Sequence, residues 1–194
     1  MNKIAERNAA STLPLPPDTE AFSAKIDSEL MRLARGGTEL SLVCAALRKR
    51  KTLAQRLGEA AVARLEAVLH DTLRGCLGEC DSMDRLCPGR YALLLPGVGL
   101  FRARLLAERM QNDFAARAGA GGNGPDISCA LSIACVSQAD KTCAAELLSR
   151  AQAGLEHALG QKNAHIFQEA RTALDAHAAL VHPNEKRFLF FGGE

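Results

Sequence analysis

The chain has 194 residues, with 24 Lys plus Arg against 22 Asp plus Glu and a formal net charge of +2. That near-balance makes no basic field of the kind that steers a protein onto nucleic acid, and aromatic residues at 4% without a Trp leave little to stack on bases. No apolar run approaches the roughly 20 residues that cross a bilayer, and the polar start Met1-Asn2-Lys3-Ile4-Ala5-Glu6-Arg7 is not expected to act as a secretory signal. An apolar share of 47% is that of an ordinary globular protein, long enough for one domain with extensions. The Cys count is odd, 7, and scattered through apolar runs. That usage fits a reducing compartment, so the expected location is the cytoplasm.

Residues 1–17 are polar and then Pro-rich (Leu13-Pro14-Leu15-Pro16-Pro17), which predicts an extended lead-in. Asp18 is placed to cap a helix with Ala21, Phe22, Ile26, Leu30 and Leu33 on its inward face, ended by Gly36-Gly37. Residues 40–47 are an apolar run of strand length, interrupted only by Ser41. The basic cluster Arg48-Lys49-Arg50-Lys51 reads as a solvated strand-to-helix connection, or else as a contact for a phosphate or other anion. Leu53, Leu57, Val62, Leu65, Val68, Leu69 and Leu73 then recur at helical spacing through Gly75, predicting one long helix.

Cys87-Pro88-Gly89 is a tight turn in which Pro88 fixes one φ and Gly89 accepts the permissive corner. Residues 91–95 leave it as a short apolar strand closed by Pro96-Gly97. The tip of this hairpin carries Arg90 and no carboxylate. A helix over 101–118 follows, with Leu105, Leu106, Met110 and Phe114 inward, and then a Gly-rich connector over 119–125. The connector lacks the Lys-Ser/Thr ending of a phosphate loop and precedes a strand, so it is not read as one. A strand over 127–136, a helix over 144–159 and a strand over 163–167 complete the body.

The scattered reactive side chains suggest no separate chemistry. Cys44, Cys129 and Cys135 fall in strands and read as small core residues. Cys76, Cys80 and Cys87 lack the paired spacing of a zinc site and read as buried or free thiols, and no metal is expected. Asp81 and Asp84 read as solvated carboxylates or as partners of Arg85. His157, His165, His177 and His182 follow no ligand pattern. Beyond the body, 168–181 reads as an Ala-rich helix. Phe188, Leu189, Phe190 and Phe191 then stand in a row, either packed on the domain as a strand or tail or forming a partner-binding edge. Strands alternating with helices predict an α+β sandwich of ferredoxin-like type, its central sheet mainly antiparallel and flanked by helices.

The run from Asp81 to Gly97 resembles the signature hairpin of the GGDEF domain, the bacterial domain that makes cyclic di-GMP from two GTP molecules. The family pattern is S-D-x-x-x-R-L-G-G-D-E-F-x-x-x-L-P-G. This chain keeps Asp81, Arg85, Leu86, an aromatic at Tyr91, Leu94 or Leu95, Pro96 and Gly97. Its five signature positions read Cys87-Pro88-Gly89-Arg90-Tyr91. Leu57-Gly58 resembles the family's Y-G-H, Ser132-Ile133-Ala134 its S-I-G strand, and Arg150-Ala151 onward its R-A-D-x-A-L-Y-x-A-K helix. The resemblance reaches from residue 13 to 167 and implies a nucleotide-cyclase-like fold, with the degenerate domain over 18–167.

It also implies which positions would carry the family's chemistry. The carboxylates that hold divalent cations in the cyclase fall at Ala46 and Arg48, and those of the signature at Gly89 and Arg90. A hard cation needs oxygen ligands, and these side chains offer none. The guanine-reading positions fall at Ala54 and Gln55, and the phosphate-binding Lys of the last helix falls at Leu159. Lys51 matches the lysine of the family's F-K pair, with Arg50 in place of the Phe. The inhibitory R-x-x-D site reads Gly78-Glu79-Cys80-Asp81, keeping Asp81 without the bidentate Arg.

The resemblance therefore implies a catalytically inactive domain without cofactor, acting as a regulatory or protein-interaction module. An unidentified protein partner is expected, as is pairing into a homodimer, and neither GTP nor cyclic di-GMP is expected to bind. Two alternatives stand beside it. One is a sensor holding GTP, cyclic di-GMP or another anion through Arg48, Lys51, Gln55 and Arg90, and the other is a residual cyclase with unusual metal geometry.

Overall fold

The computed structural model describes residues 17–120, 127–161 and 166–168. Helix α1 (Pro17–Ala34) opens on Pro17 itself, not on an Asp18 cap. Proline suits a first helical position, where its missing N–H would have had no acceptor. Phe22, Ile26 and Leu33 are buried along α1, whereas Ala21 faces solvent. Strand β1 (Glu39–Leu47) is apolar from Leu40 onward apart from Ser41 because both of its faces are covered. Ser41 fits that environment by donating its hydroxyl to the Val98 carbonyl at 2.7 Å.

The single helix expected over 53–75 is two helices, α2 (Arg50–Leu57) and α3 (Glu59–Gly75). Gly58 breaks them with φ 83° and ψ 157°, a conformation open almost only to glycine. The apolar periodicity runs across the break, which is why spacing alone does not reveal it. The hairpin follows as β2 (Ser82–Cys87) and β3 (Arg90–Pro96). Helix α4 (Leu100–Ala120) extends over Gly119, which the sequence assigned to the connector. Ala103, Ala107, Met110 and Phe114 form its buried face, while Leu105 is 51% exposed and not inward. The rest of the Gly-rich connector lies outside the described residues.

Strand β4 (Cys129–Ser137), helix α5 (Ala144–Gly160) and strand β5 (Ile166–Gln168) complete the fold. Gln168 closes a strand and does not open the expected helix. The remainder of that helix and Phe188, Phe190 and Phe191 lie outside the described residues, as does the lead-in before Pro17.

The sheet order is β2-β3-β1-β4-β5. β1 runs antiparallel to both β3 and β4, β2 antiparallel to β3, and only β5 is parallel to its neighbour. Strand alternation sends Val43, Ala45, Tyr91 and Leu93 to one core with α3, α4 and Leu53 of α2. Cys44, Ala46, Ala92 and Leu94 go to the other, with α1 and α5. The expected α+β sandwich with a mainly antiparallel sheet is the one found. Cys44, Cys129 and Cys135 are buried within it.

Candidate functional site: the hairpin and its surroundings

Ala46 and Arg90 are direct partners across the β1–β3 ladder. Both therefore project from the same face of the sheet, toward α5. There Arg90 is ion-paired through Nη1 with Glu156 Oε1. The hairpin and α5 enclose a cleft of about 400 Å³ that is lined by Leu86, Cys87, Arg90, Ser149, Gln152 and Glu156, among others. Beneath Arg90, burial pushes the Cys44 thiol up to about 12, with the guanidinium charge opposing the rise.

Arg48 is placed quite differently from the solvated connection that its neighbours suggest. It is buried, its Nη2 donates to the carbonyl of Gln161, and its backbone N–H bonds Ser128 at 3.0 Å. Its guanidinium thus serves the C-terminal end of α5, where carbonyls lack helical N–H donors and cations are favoured. Lys49 follows in the left-handed region at φ 51°, turning the chain into α2. On α2, Lys51 and Gln55 stand one turn apart and exposed, while Ala54 is half-buried against the core. Leu159 is half-buried on the α1–α5 side and brings no charge. Of the four predicted anion contacts, Arg48 and Arg90 are engaged within the protein, and Lys51 and Gln55 point outward.

The other side of the hairpin rests on a residue that the sequence reading passed over. Glu66 of α3 is only 6% exposed. Arg50 Nε, at the start of α2, donates to its Oε1 at 2.7 Å, and Arg85 Nη2 of β2 stands 3.7 Å from its Oε2. The Glu66 carboxylate holds the Arg50 pKa above its ordinary value. Tyr91, the signature aromatic, donates its buried hydroxyl to the Glu66 carbonyl at 3.1 Å. Burial, ahead of the nearby charges, raises the Tyr91 pKa. Gly89 lies directly over the carboxylate: a Cβ there would stand 2.6 Å from Glu66 Oε1. The available signal was an acid set within the apolar stripe Val62, Leu69 and Leu73, which demands a cationic partner.

Neither Asp81 nor Asp84 ion-pairs with the Arg85 guanidinium, which faces Glu66. Asp81 Oδ2 accepts the Gly78 N–H at 2.8 Å and so closes its own turn. Asp84 accepts the Arg85 N–H at 2.9 Å and lies 3.9 Å from Lys25 Nζ. Cys76 is half-buried against Asp113, and burial first, then that carboxylate, raises its thiol pKa. Cys80 and Cys87 are exposed. His157 packs on Phe167 with ring centroids 4.8 Å apart, and the remaining histidines 165, 177 and 182 lie outside the described residues.

Among the described residues, no group of three or more His, Cys, Asp or Glu is arranged to hold a metal ion. At the positions that the resemblance assigns to the family's divalent cations stand a methyl group, two guanidiniums and a glycine. That donor set does not fit a hard cation.

A mainly antiparallel sheet with α2, α3 and α4 against one face, α1 and α5 against the other, and a hairpin raised at one end of its strands, defines a nucleotide-cyclase-like fold. The family profile described as diguanylate cyclase, GGDEF domain, matches residues 17–165, and the chain belongs to the GGDEF family of cyclic di-GMP signalling domains. The fold is similar to the GGDEF domain of YfiN (TpbB) from Pseudomonas aeruginosa, with a TM-score of 0.69 and 22% identity over 81% of this chain and 98% of that one. It is similar to the GGDEF domain of DgcB from Caulobacter crescentus in complex with cyclic di-GMP, with a TM-score of 0.67 and 15% identity over 84% and 97% of the two chains. It also resembles the diguanylate cyclase SiaD of P. aeruginosa in complex with its activator SiaC, with a TM-score of 0.64 and 18% identity, covering 77% of this chain and 57% of that one. No curated protein matches the chain by sequence. None of the described helices is long and apolar enough to cross a membrane.

Proposed function

We propose that this chain is a catalytically silent GGDEF domain that works in the cytoplasm as a regulatory, protein-binding module of cyclic di-GMP signalling. One juxtaposition carries the reading. The positions that the resemblance assigns to the family's metal ligands on β1 and the hairpin are Ala46 and Arg90, paired across the sheet on its α5 face, with Arg90 lining the cleft and Ala46 buried. Phosphoryl transfer in this family depends on cations that neutralise developing charge on the phosphates. An arginine already bonded to Glu156 repels such a cation and brings no oxygen to it.

The regulatory role draws support from the SiaD relative, which is bound to a protein activator. In this chain the contact surface is the hairpin with Cys87, Pro88 and Arg90, and the partner is a protein, either a second copy or another component. The nucleotide-sensor reading is less well supported, because Arg48 is spent on Gln161 and Arg90 on Glu156.

Incubating the purified chain with GTP and Mg²⁺, and separating the nucleotides by chromatography, is expected to yield no cyclic di-GMP. Calorimetric titration with GTP and with cyclic di-GMP is expected to give no heat of binding. Turnover would overturn the silent reading. Tight GTP binding that is lost in Lys51→Ala would favour the sensor.

A further inference from the structure

The hairpin tip has little of its own to hold it. Among the described residues β2 is an edge strand, with a ladder on one side only. The β2–β3 register shifts between Arg85 and Cys87, which leaves the single pair Cys87–Arg90 beyond the irregularity. Cys87 and Pro88 are exposed. Outside the hairpin, Arg90 is laddered to Ala46 of β1, and one acid approaches the tip from each face. Glu156 on the α5 side is 58% exposed, and an ion pair so open to water contributes little. Glu66 on the α3 side is buried: its carboxylate faces the Arg85 guanidinium at 3.7 Å and fills the space where a Gly89 side chain would begin, while its backbone carbonyl accepts the Tyr91 hydroxyl. The same carboxylate holds Arg50 at the first residue of α2. Burial makes this an all-or-none arrangement, since a buried carboxylate that loses its cations is costly to keep in place.

We propose that Glu66 is a latch: a single side chain of α3 fastens the 87–91 hairpin to the start of α2, and the hairpin opens locally when the latch is released. The inference stands whether or not the domain turns over nucleotide. It makes the shape of the signature loop a property of helix α3, because the turn residues themselves supply only the glycine that lets the carboxylate approach. It also couples two segments that are distant in sequence, so that a partner pulling on the hairpin disturbs α2, and an occupant of the α2 side disturbs the hairpin.

Hydrogen exchange on the full chain, read peptide by peptide, tests this. In Glu66→Gln the amides of 85–91 and of 50–53 are expected to exchange roughly ten- to a hundredfold faster than in the parent, the range set by losing a charge-assisted hydrogen bond. Those of β4 and α5 should be unchanged, and Glu156→Gln should leave the hairpin near its parent rate. Equal rates in parent and Glu66→Gln, or an acceleration spread evenly over the whole sheet, would overturn the latch.

If Glu66→Gln does not fold, Arg50→Gln carries the same test from the exposed side of the pair, with the same local pattern expected and the same two outcomes against it. A double-mutant cycle provides a second readout. Gly89→Ala should cost less in a Glu66→Ala background than in the parent, because the oxygen its Cβ would meet is gone. Additive costs would mean that Glu66 does not fill the space beneath the turn.

Discussion

Gly89 sits at φ 73° with a carboxylate oxygen where a side chain would begin, and the resemblance aligns it with an acidic signature residue of the family. Putting that acid back is therefore expected to damage the fold before it could help bind a cation. Gly89→Asp meets the left-handed backbone cost of about 1–2 kcal/mol and adds a negative charge beside Glu66. A loss of about 2–3 kcal/mol in urea unfolding, with an unchanged m-value, is the expected result. A variant as stable as the parent would show that the turn and Glu66 tolerate each other's charge. Arg48 makes the complementary point. Its charge looks like an anion contact when read along the chain, and it is consumed by a helix end that only the folded chain brings near.

Gly58 decides how an element is divided. The stripe of apolar residues from Leu53 to Leu73 would satisfy one continuous helix, and alanine would favour one by about 1 kcal/mol relative to glycine. The break turns α2 away from α3 and so lets Arg50 reach back to Glu59 and Glu66. Gly58→Ala is expected to destabilise by about 1–3 kcal/mol, the cost of forcing an L side chain into that conformation, and to weaken the Arg50–Glu66 pair with it. Thermal unfolding is the measurement. A raised midpoint would mean that the break is not required by the surrounding packing.

Across the whole molecule the two cores are closed to water, and the thiols record it. Cys44 and Cys129 are buried, and burial raises each to about 12 from an ordinary value of 9.0. For a group whose folded pKa lies above its unfolded one, stability is fully present below the unfolded value and is lost as pH climbs through the folded value. Unfolding free energy is thus expected to fall between about pH 9 and pH 12, by up to about 1.4 kcal/mol per pH unit for each thiol. Denaturant titrations across that window check it, and a Cys44→Ala variant should show the shallower slope. At neutral pH a thiol reagent should modify the exposed Cys80, Cys87 and Cys143 while sparing Cys44 and Cys129.

Much of this architecture was legible along the chain. Apolar runs, interrupted only by Ser41 in β1 and Ser132 within β4, marked β1, β3 and β4 because strands covered on both faces have no polar side to alternate with. The paired turn residues marked the hairpin, and the frame around it carried the family resemblance. The same register, through the resemblance, assigns the family's acidic positions to Ala46 and Arg90. What the chain did not disclose were the partners of its charges. Glu66 meets Arg50 and Arg85 from two other elements, Arg48 meets the end of α5, and Arg90 meets Glu156. Spacing along one helix or strand reports which face a residue occupies. Which charge waits on the opposing element is set by sheet order and helix packing, and those belong to the folded chain alone.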